Sequence, residues 1–99
     1  MDKFGIEESI FDEIINLMKK EKSVKMVKLF GSRARGDYSN ASDIDLAIYF
    51  GGNSDKLRII RELDEIRCIL KFDVIDMCEI TNKKLIENIN KDGIIIFKR

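Results

Sequence analysis

Histidine is absent from this 99-residue chain, and with it several kinds of chemistry. No imidazole is present to act as general base. A zinc site of the usual histidine–cysteine type is effectively excluded. Cysteine is scarce: Cys68 and Cys78 are the only two, with no C-x-x-C spacing. Both lie in apolar segments and read as reduced, buried thiols of a cytoplasmic protein. Proline, internal repeats and low-complexity stretches are absent as well, so nothing marks a linker. An excess of either charge is also missing. Lys+Arg and Asp+Glu are both 18, a balance unlike the footprint of a dedicated nucleic-acid binder. Near-neutrality does little to oppose docking to a partner or self-association into a homo-oligomer. No apolar run is long enough to span a bilayer, and Met1–Ile10 carries no signal-peptide pattern.

What is present is enough for one modest core. The length and the 44% hydrophobic fraction point to a single globular domain over residues 1–99. Little room remains for a separate acceptor-binding domain. Ile6, Ile10, Phe11, Ile14, Ile15 and Met18 recur at helical spacing and predict a helix over about Glu7–Lys19. Ser23–Phe30 reads as a strand closed by Gly31, followed by a short helix over Ser32–Arg35 that ends at Gly36. Asp37–Ser42 is a polar loop and Asp43–Phe50 a second strand. Asn53–Leu70 reads as the clearest helix, with Leu57, Ile60, Leu63, Ile66, Cys68, Ile69 and Leu70 as its apolar stripe and Asn53 or Ser54 as its cap. A strand over Phe72–Met77, a helix over about Lys83–Asn90 capped by Thr81 or Asn82, and an apolar strand Ile94–Phe97 complete the order. This order predicts an α+β fold: a mixed sheet of three or four strands with helices packed against it. The last strand is a candidate exposed edge, which proteins usually cover or pair.

The chemistry concentrates in Leu29–Phe50, LFGSRARGDYSNASDIDLAIYF. Asp43 and Asp45 alternate with Ile44 and Leu46, so a strand projects both carboxylates from one face. Magnesium takes oxygen ligands and is commonly held by carboxylates together with phosphate oxygens. Where two metals act in phosphoryl or nucleotidyl transfer they lie about 3.5–4 Å apart, which calls for a bridging carboxylate. A third carboxylate from a neighbouring strand usually completes such a site. Asp73 and Asp76 are the candidates; they face opposite sides of their strand, and the pleat favours Asp73. Gly31 permits close approach of backbone to phosphate, and Ser32 opens a helix where anions are favoured. Arg33 and Arg35 are placed to neutralise phosphate oxygens or a departing pyrophosphate. Each feature alone is commonplace; their combination between two apolar strands points to a metal–triphosphate site.

Gly31-Ser32, the ten residues Arg33–Ser42, then Asp43-Ile44-Asp45 resemble the signature of the DNA polymerase β-like nucleotidyltransferase superfamily. The string GSRARGDYSNASDIDL is similar to that of its smallest members, the minimal nucleotidyltransferases (MNT). The resemblance runs through FDVID and GIIIF, from about Val24 to Phe97. It implies that Gly31 and Ser32 contact the nucleotide phosphates, that Asp43 and Asp45 bind metal, and that Asp73 completes the site as general base. It also implies two Mg2+ ions, ATP as donor, and an antitoxin role beside a HEPN-type ribonuclease toxin, with AMP transferred to a toxin tyrosine. Two other functions remain open at this point. One is a small-molecule nucleotidyltransferase resembling those that modify aminoglycosides. The other is a non-catalytic nucleotide-binding module that neutralises a partner by contact.

Overall fold

A computed structural model describes residues 3–52 and 55–99. Helix α1 spans Glu8–Lys20 and buries Phe11, Ile14, Leu17 and Met18, an apolar set at helical spacing. Lys19 and Lys20 occupy its last turn, where positive charge suits the helix dipole. The carbonyls that such an end leaves without intrahelical partners are met from far along the chain. The Arg99 guanidinium donates to the Met18, Lys19 and Glu21 carbonyls at 2.8, 3.2 and 3.1 Å.

Strand β1 (Val24–Phe30) leads into the four-residue helix α2 (Ser32–Arg35), and β2 covers Ile44–Phe50. Helix α3 (Lys56–Asp64), β3 (Phe72–Asp76), α4 (Lys83–Asp92) and β4 (Ile94–Lys98) follow. The four strands form one mixed sheet in the order β3-β2-β1-β4. β1 runs antiparallel to both β2 and β4, while β2 and β3 are parallel. The expected α+β architecture is therefore present, with four strands.

The two faces of the sheet are covered unequally. On one face α1 and α3 enclose the main core, built from Ile14, Met18, Val27, Leu29, Ile44, Leu46, Ile48, Ile59 and Leu63 among others. At the end of α1, Glu21 is buried and receives a bidentate pair from Arg58 of α3 at 2.8 and 2.9 Å. On the other face a smaller cluster of Phe30, Ala47 and Ile89 is covered by α4, whose start is capped by the Asn82 side chain accepting the Leu85 N–H. β4 is an outer strand, and its Ile95 is half exposed.

The third helix departs most from the sequence pattern. The expected helix over Asn53–Leu70 is present only as Lys56–Asp64. Its expected caps, Asn53 and Ser54, lie outside the described residues; Asp55 caps α3 by accepting the Arg58 N–H at 3.1 Å. Of the apolar stripe, Leu63 is fully buried, whereas Leu57 is 76% and Ile69 100% exposed. The missing turns have a topological reason. Parallel pairing requires residues 65–71 to turn back so that Phe72 lies beside Ile44, and the Ile44 N–H donates to the Lys71 carbonyl at 2.8 Å. A helix continuing to Leu70 could not deliver that return. Leu63→Ala is expected to lower unfolding stability by about 2–5 kcal/mol, and Ile69→Ala by less than about 0.5 kcal/mol. Paired urea melts check this: equal losses at the two positions would place Ile69 in the core.

Candidate active site

The end of β1 and the starts of β2 and β3 meet at one end of the sheet. Phe30 is the register partner of Asp45 across the antiparallel pair, and Asp73 is its partner across the parallel pair. Strand alternation puts Asp45 on the face of Ala47, under α4. Asp73 shares that face with Ile75, which packs against the same cluster. Asp43 stands one residue before β2 and is exposed, Asp45 is half-buried, and Asp73 is exposed. The sequence alternative, Asp76, lies level with Ile48 on the opposite face. It is buried, and its carboxylate accepts the Cys78 N–H at 2.8 Å, closing the turn after β3.

Gly31 joins the turn after β1 to these carboxylates. Its φ is 76°, in the left-handed region that favours glycine, and a Cβ there would press into the Asp45 Oδ2. The turn therefore packs directly against the central carboxylate, and Ser32 follows as the first residue of α2.

The two arginines of α2 have different fates. Arg35 is exposed, with Nε 3.3 Å from Asp37 Oδ2 and Nη1 3.6 Å from Asp92 Oδ2 of α4. Those two carboxylates raise its pKa, Asp37 more than Asp92. It is also close enough to draw down the proton affinity of Asp45. Arg33 corrects the sequence expectation that both arginines face phosphate. Its side chain is buried and its donors are spent on backbone. Nε and Nη2 donate to the Ser42 carbonyl at 3.0 and 2.9 Å, Nη1 to Phe4 at 3.1 Å, and Nη2 also to Asn40 at 3.5 Å. The guanidinium lies 5.1 Å from the Tyr38 ring centroid. Arg33 thus ties α2 to the loop that delivers Asp43. The i, i+2 spacing in SRAR already separates the two arginines on so short a helix, but which one turns inward depends on the distant Phe4 and the folded 38–42 loop.

Burial and neighbouring negative charge act together on Asp45. The Asp45 carboxyl is pushed up to about 6, first by burial and then by the Asp73 and Asp43 charges, against an opposing pull from Arg35 and Arg33. A hard divalent cation is the natural counter-charge for such an oxygen-donor set, so these residues fit magnesium in kind. Among the described residues, however, no three carboxylate or cysteine side chains converge closely enough to form a ready-made cage. The carboxylates sense one another along a shared face without closing on one point.

Residues 12–99 match the family model described as polymerase beta, nucleotidyltransferase. The chain belongs to this nucleotidyltransferase family. It is 35% identical over 85 residues to a Methanocaldococcus jannaschii protein named "Putative protein adenylyltransferase MJ1379", covering 81% of this chain and 84% of that one. Its fold is similar to that of a toxin–antitoxin crystal structure with AMP-PNP, at TM-score 0.74 and 20% identity over 90% of this chain and 73% of the other. It is also similar in fold to a structure of tri-AMPylated Shewanella oneidensis HEPN toxin in complex with MNT antitoxin, at TM-score 0.68 and 18% identity over 93% and 72% of the two chains. No helix among the described residues is long and apolar enough to cross a membrane.

A carboxyl whose folded pKa exceeds its unfolded value stabilises the fold when protonated, and that contribution is lost as pH rises through the folded pKa. Stability should therefore fall between about pH 4 and pH 6 on account of Asp45. Asp45→Asn should remove that component and be more stable at neutral pH by about 1–2 kcal/mol after allowance for solvent screening. Urea melts of both proteins across this range check it; parallel pH profiles would show that Asp45 is not crowded. The arginines should also separate. Arg33→Met is expected to destabilise the fold by about 2–4 kcal/mol through orphaned buried carbonyls, while Arg35→Ala leaves the melting temperature nearly unchanged. Calorimetric melts giving similar values for both variants would contradict the buried role of Arg33.

Proposed function

We propose that this nucleotidyltransferase transfers AMP from ATP to a tyrosine hydroxyl on a HEPN-type ribonuclease toxin and so acts as its antitoxin. The observation that carries this reading is the register of β2 against β3, which sets Asp73 beside Asp45 at the Gly31 turn. The similarity to a protein named as an adenylyltransferase supports the AMP group. The fold shared with toxin–antitoxin complexes supports the partner class.

The division of labour follows from position. Gly31 leaves room for phosphate at the turn, and Ser32 offers a hydroxyl and a backbone N–H at the start of α2. Arg35, exposed between Asp37 and Asp92, supplies positive charge toward the β- and γ-phosphates. Asp43 and Asp45, joined by Asp73, would hold magnesium. When bound, magnesium offsets the charge of carboxylates and triphosphate and lowers the proton cost of the attacking hydroxyl. Asp73, at the outer strand, takes the tyrosyl proton. The tyrosyl oxygen bonds to the α-phosphorus as the bond from that phosphorus to the bridging oxygen breaks, and pyrophosphate leaves with the electron pair. AMP on the tyrosine adds charge and bulk where RNA would bind, and so blocks cleavage.

The competing reading is neutralisation by contact alone. Intact-mass analysis of a co-expressed HEPN-type toxin separates the two. Wild type is expected to add the mass of AMP and neutralise the toxin, and Asp43→Ala with Asp45→Ala to lose both. Neutralisation without added mass, unchanged in the double variant, would leave only contact.

A further inference from the structure

The sheet end has an order that assigns a side to each substrate. Reading across it, the Gly31–Ser32 turn follows β1, Asp45 lies on β2, Asp73 on β3, and residues 65–71 lead into β3 at the outer edge. If the turn after β1 receives the triphosphate, the acceptor hydroxyl must come from the β3 side to reach Asp73. The surface there is distinctive. An open groove of about 550 Å³ is lined by Asn40, Ala41, Asp43, Ile69, Leu70 and Lys71. A second hollow of about 400 Å³ shares Asn40, Ile69 and Leu70 and extends past Cys68 to Ile6 and Ile10. One exposed isoleucine is ordinary on a protein surface. Ile69 differs because it is wholly exposed and borders both hollows, one of which contains the carboxylate of the site. Asp43 thus forms one wall of a groove whose facing wall combines the apolar Ile69 and Leu70 with the cationic Lys71. An acceptor placed there is held by side-chain burial next to its reacting oxygen.

We infer that this groove, between Asn40–Asp43 and Ile69–Lys71, seats the acceptor segment of the partner protein. That segment packs apolar side chains on Ile69 and Leu70 and presents its tyrosine hydroxyl past the groove's end to Asp73, two residues after Lys71. This rests on the protein-acceptor reading above and adds where the acceptor docks. Ile69 acts as an anchor for that segment. It precedes β3, which β2 separates from β1 and its turn, so its loss affects acceptor recognition and leaves nucleotide binding alone.

The test uses Ile69→Glu, with Leu57→Glu as control. Leu57 is also exposed, but it lies on the first turn of α3, which follows β2 and so begins at the far end of the sheet. Three quantities are measured with Mg2+ present: ATP affinity by calorimetry, AMP transfer to a co-expressed HEPN-type toxin by intact mass, and AMP transfer to N-acetyl-tyrosinamide. Ile69→Glu is expected to bind ATP and modify the small phenol as wild type does. Its kcat/KM on the protein acceptor should fall roughly 10- to 100-fold, as loss of one buried isoleucine contact implies. Leu57→Glu should match wild type throughout. Wild-type kcat/KM on the protein acceptor in Ile69→Glu would overturn the groove while leaving protein adenylylation intact. Equal losses in Ile69→Glu and Leu57→Glu would also overturn it. No transfer to any protein by the wild-type chain would overturn the acceptor reading, and the groove assignment with it.

Discussion

Three chain segments are brought to one edge by the mixed polarity of a single sheet. β2 pairs antiparallel with β1 and parallel with β3, so the end of one strand and the beginnings of two others share that edge. The backbone ladder fixes this arrangement because each buried N–H and C=O requires a partner. Within it, Asp45 has no freedom to leave its neighbours: Gly31 closes over it from β1, and Asp73 stands beside it on β3. Burial there, and then the Asp73 and Asp43 charges, raise the Asp45 pKa. That rise is a cost held by the hydrophobic core on the opposite face. There Leu46 and Ile48, alternating with Asp45 and Ala47 on the same strand, are fully buried under α1 and α3.

The rest of the site depends on that rigid edge. Arg33 gives its guanidinium to the loop carbonyls of Asn40 and Ser42 and to Phe4, and so sets where Asp43 enters the sheet. Arg35, two residues later, stays exposed between Asp37 and Asp92. One arginine is structural and buried, while the other keeps its charge available at the surface. α4 links the two tasks of its face, covering Phe30 and Ala47 with Ile89 and reaching Arg35 with Asp92.

Much of this was legible in the residues. Apolar spacing located α1, and the Gly-Ser turn, the short helix and the strand after Asp43 fall where the pattern placed them. The pleat argument separated Asp73 from Asp76, and the two do stand on opposite faces. The third helix is shorter than its apolar stripe because such a stripe reports only which residues can be buried. It does not say where a parallel crossover obliges the chain to turn back. Ile69 therefore ended in solvent although its spacing suited a helix face. Arg33 was misjudged for a related reason: its acceptors are backbone carbonyls, which side-chain identities do not reveal.

Sequence alone determined the inventory of donors and their local order: glycine then serine after an apolar strand, two aspartates alternating on the next, and no histidine to compete. These follow from chain connectivity and the two-residue strand period. Tertiary structure alone decided which arginine is buried and which exposed, and that a wholly exposed isoleucine borders the same groove as Asp43. Each of those outcomes depends on segments brought together by long-range pairing, and no local spacing specifies that pairing.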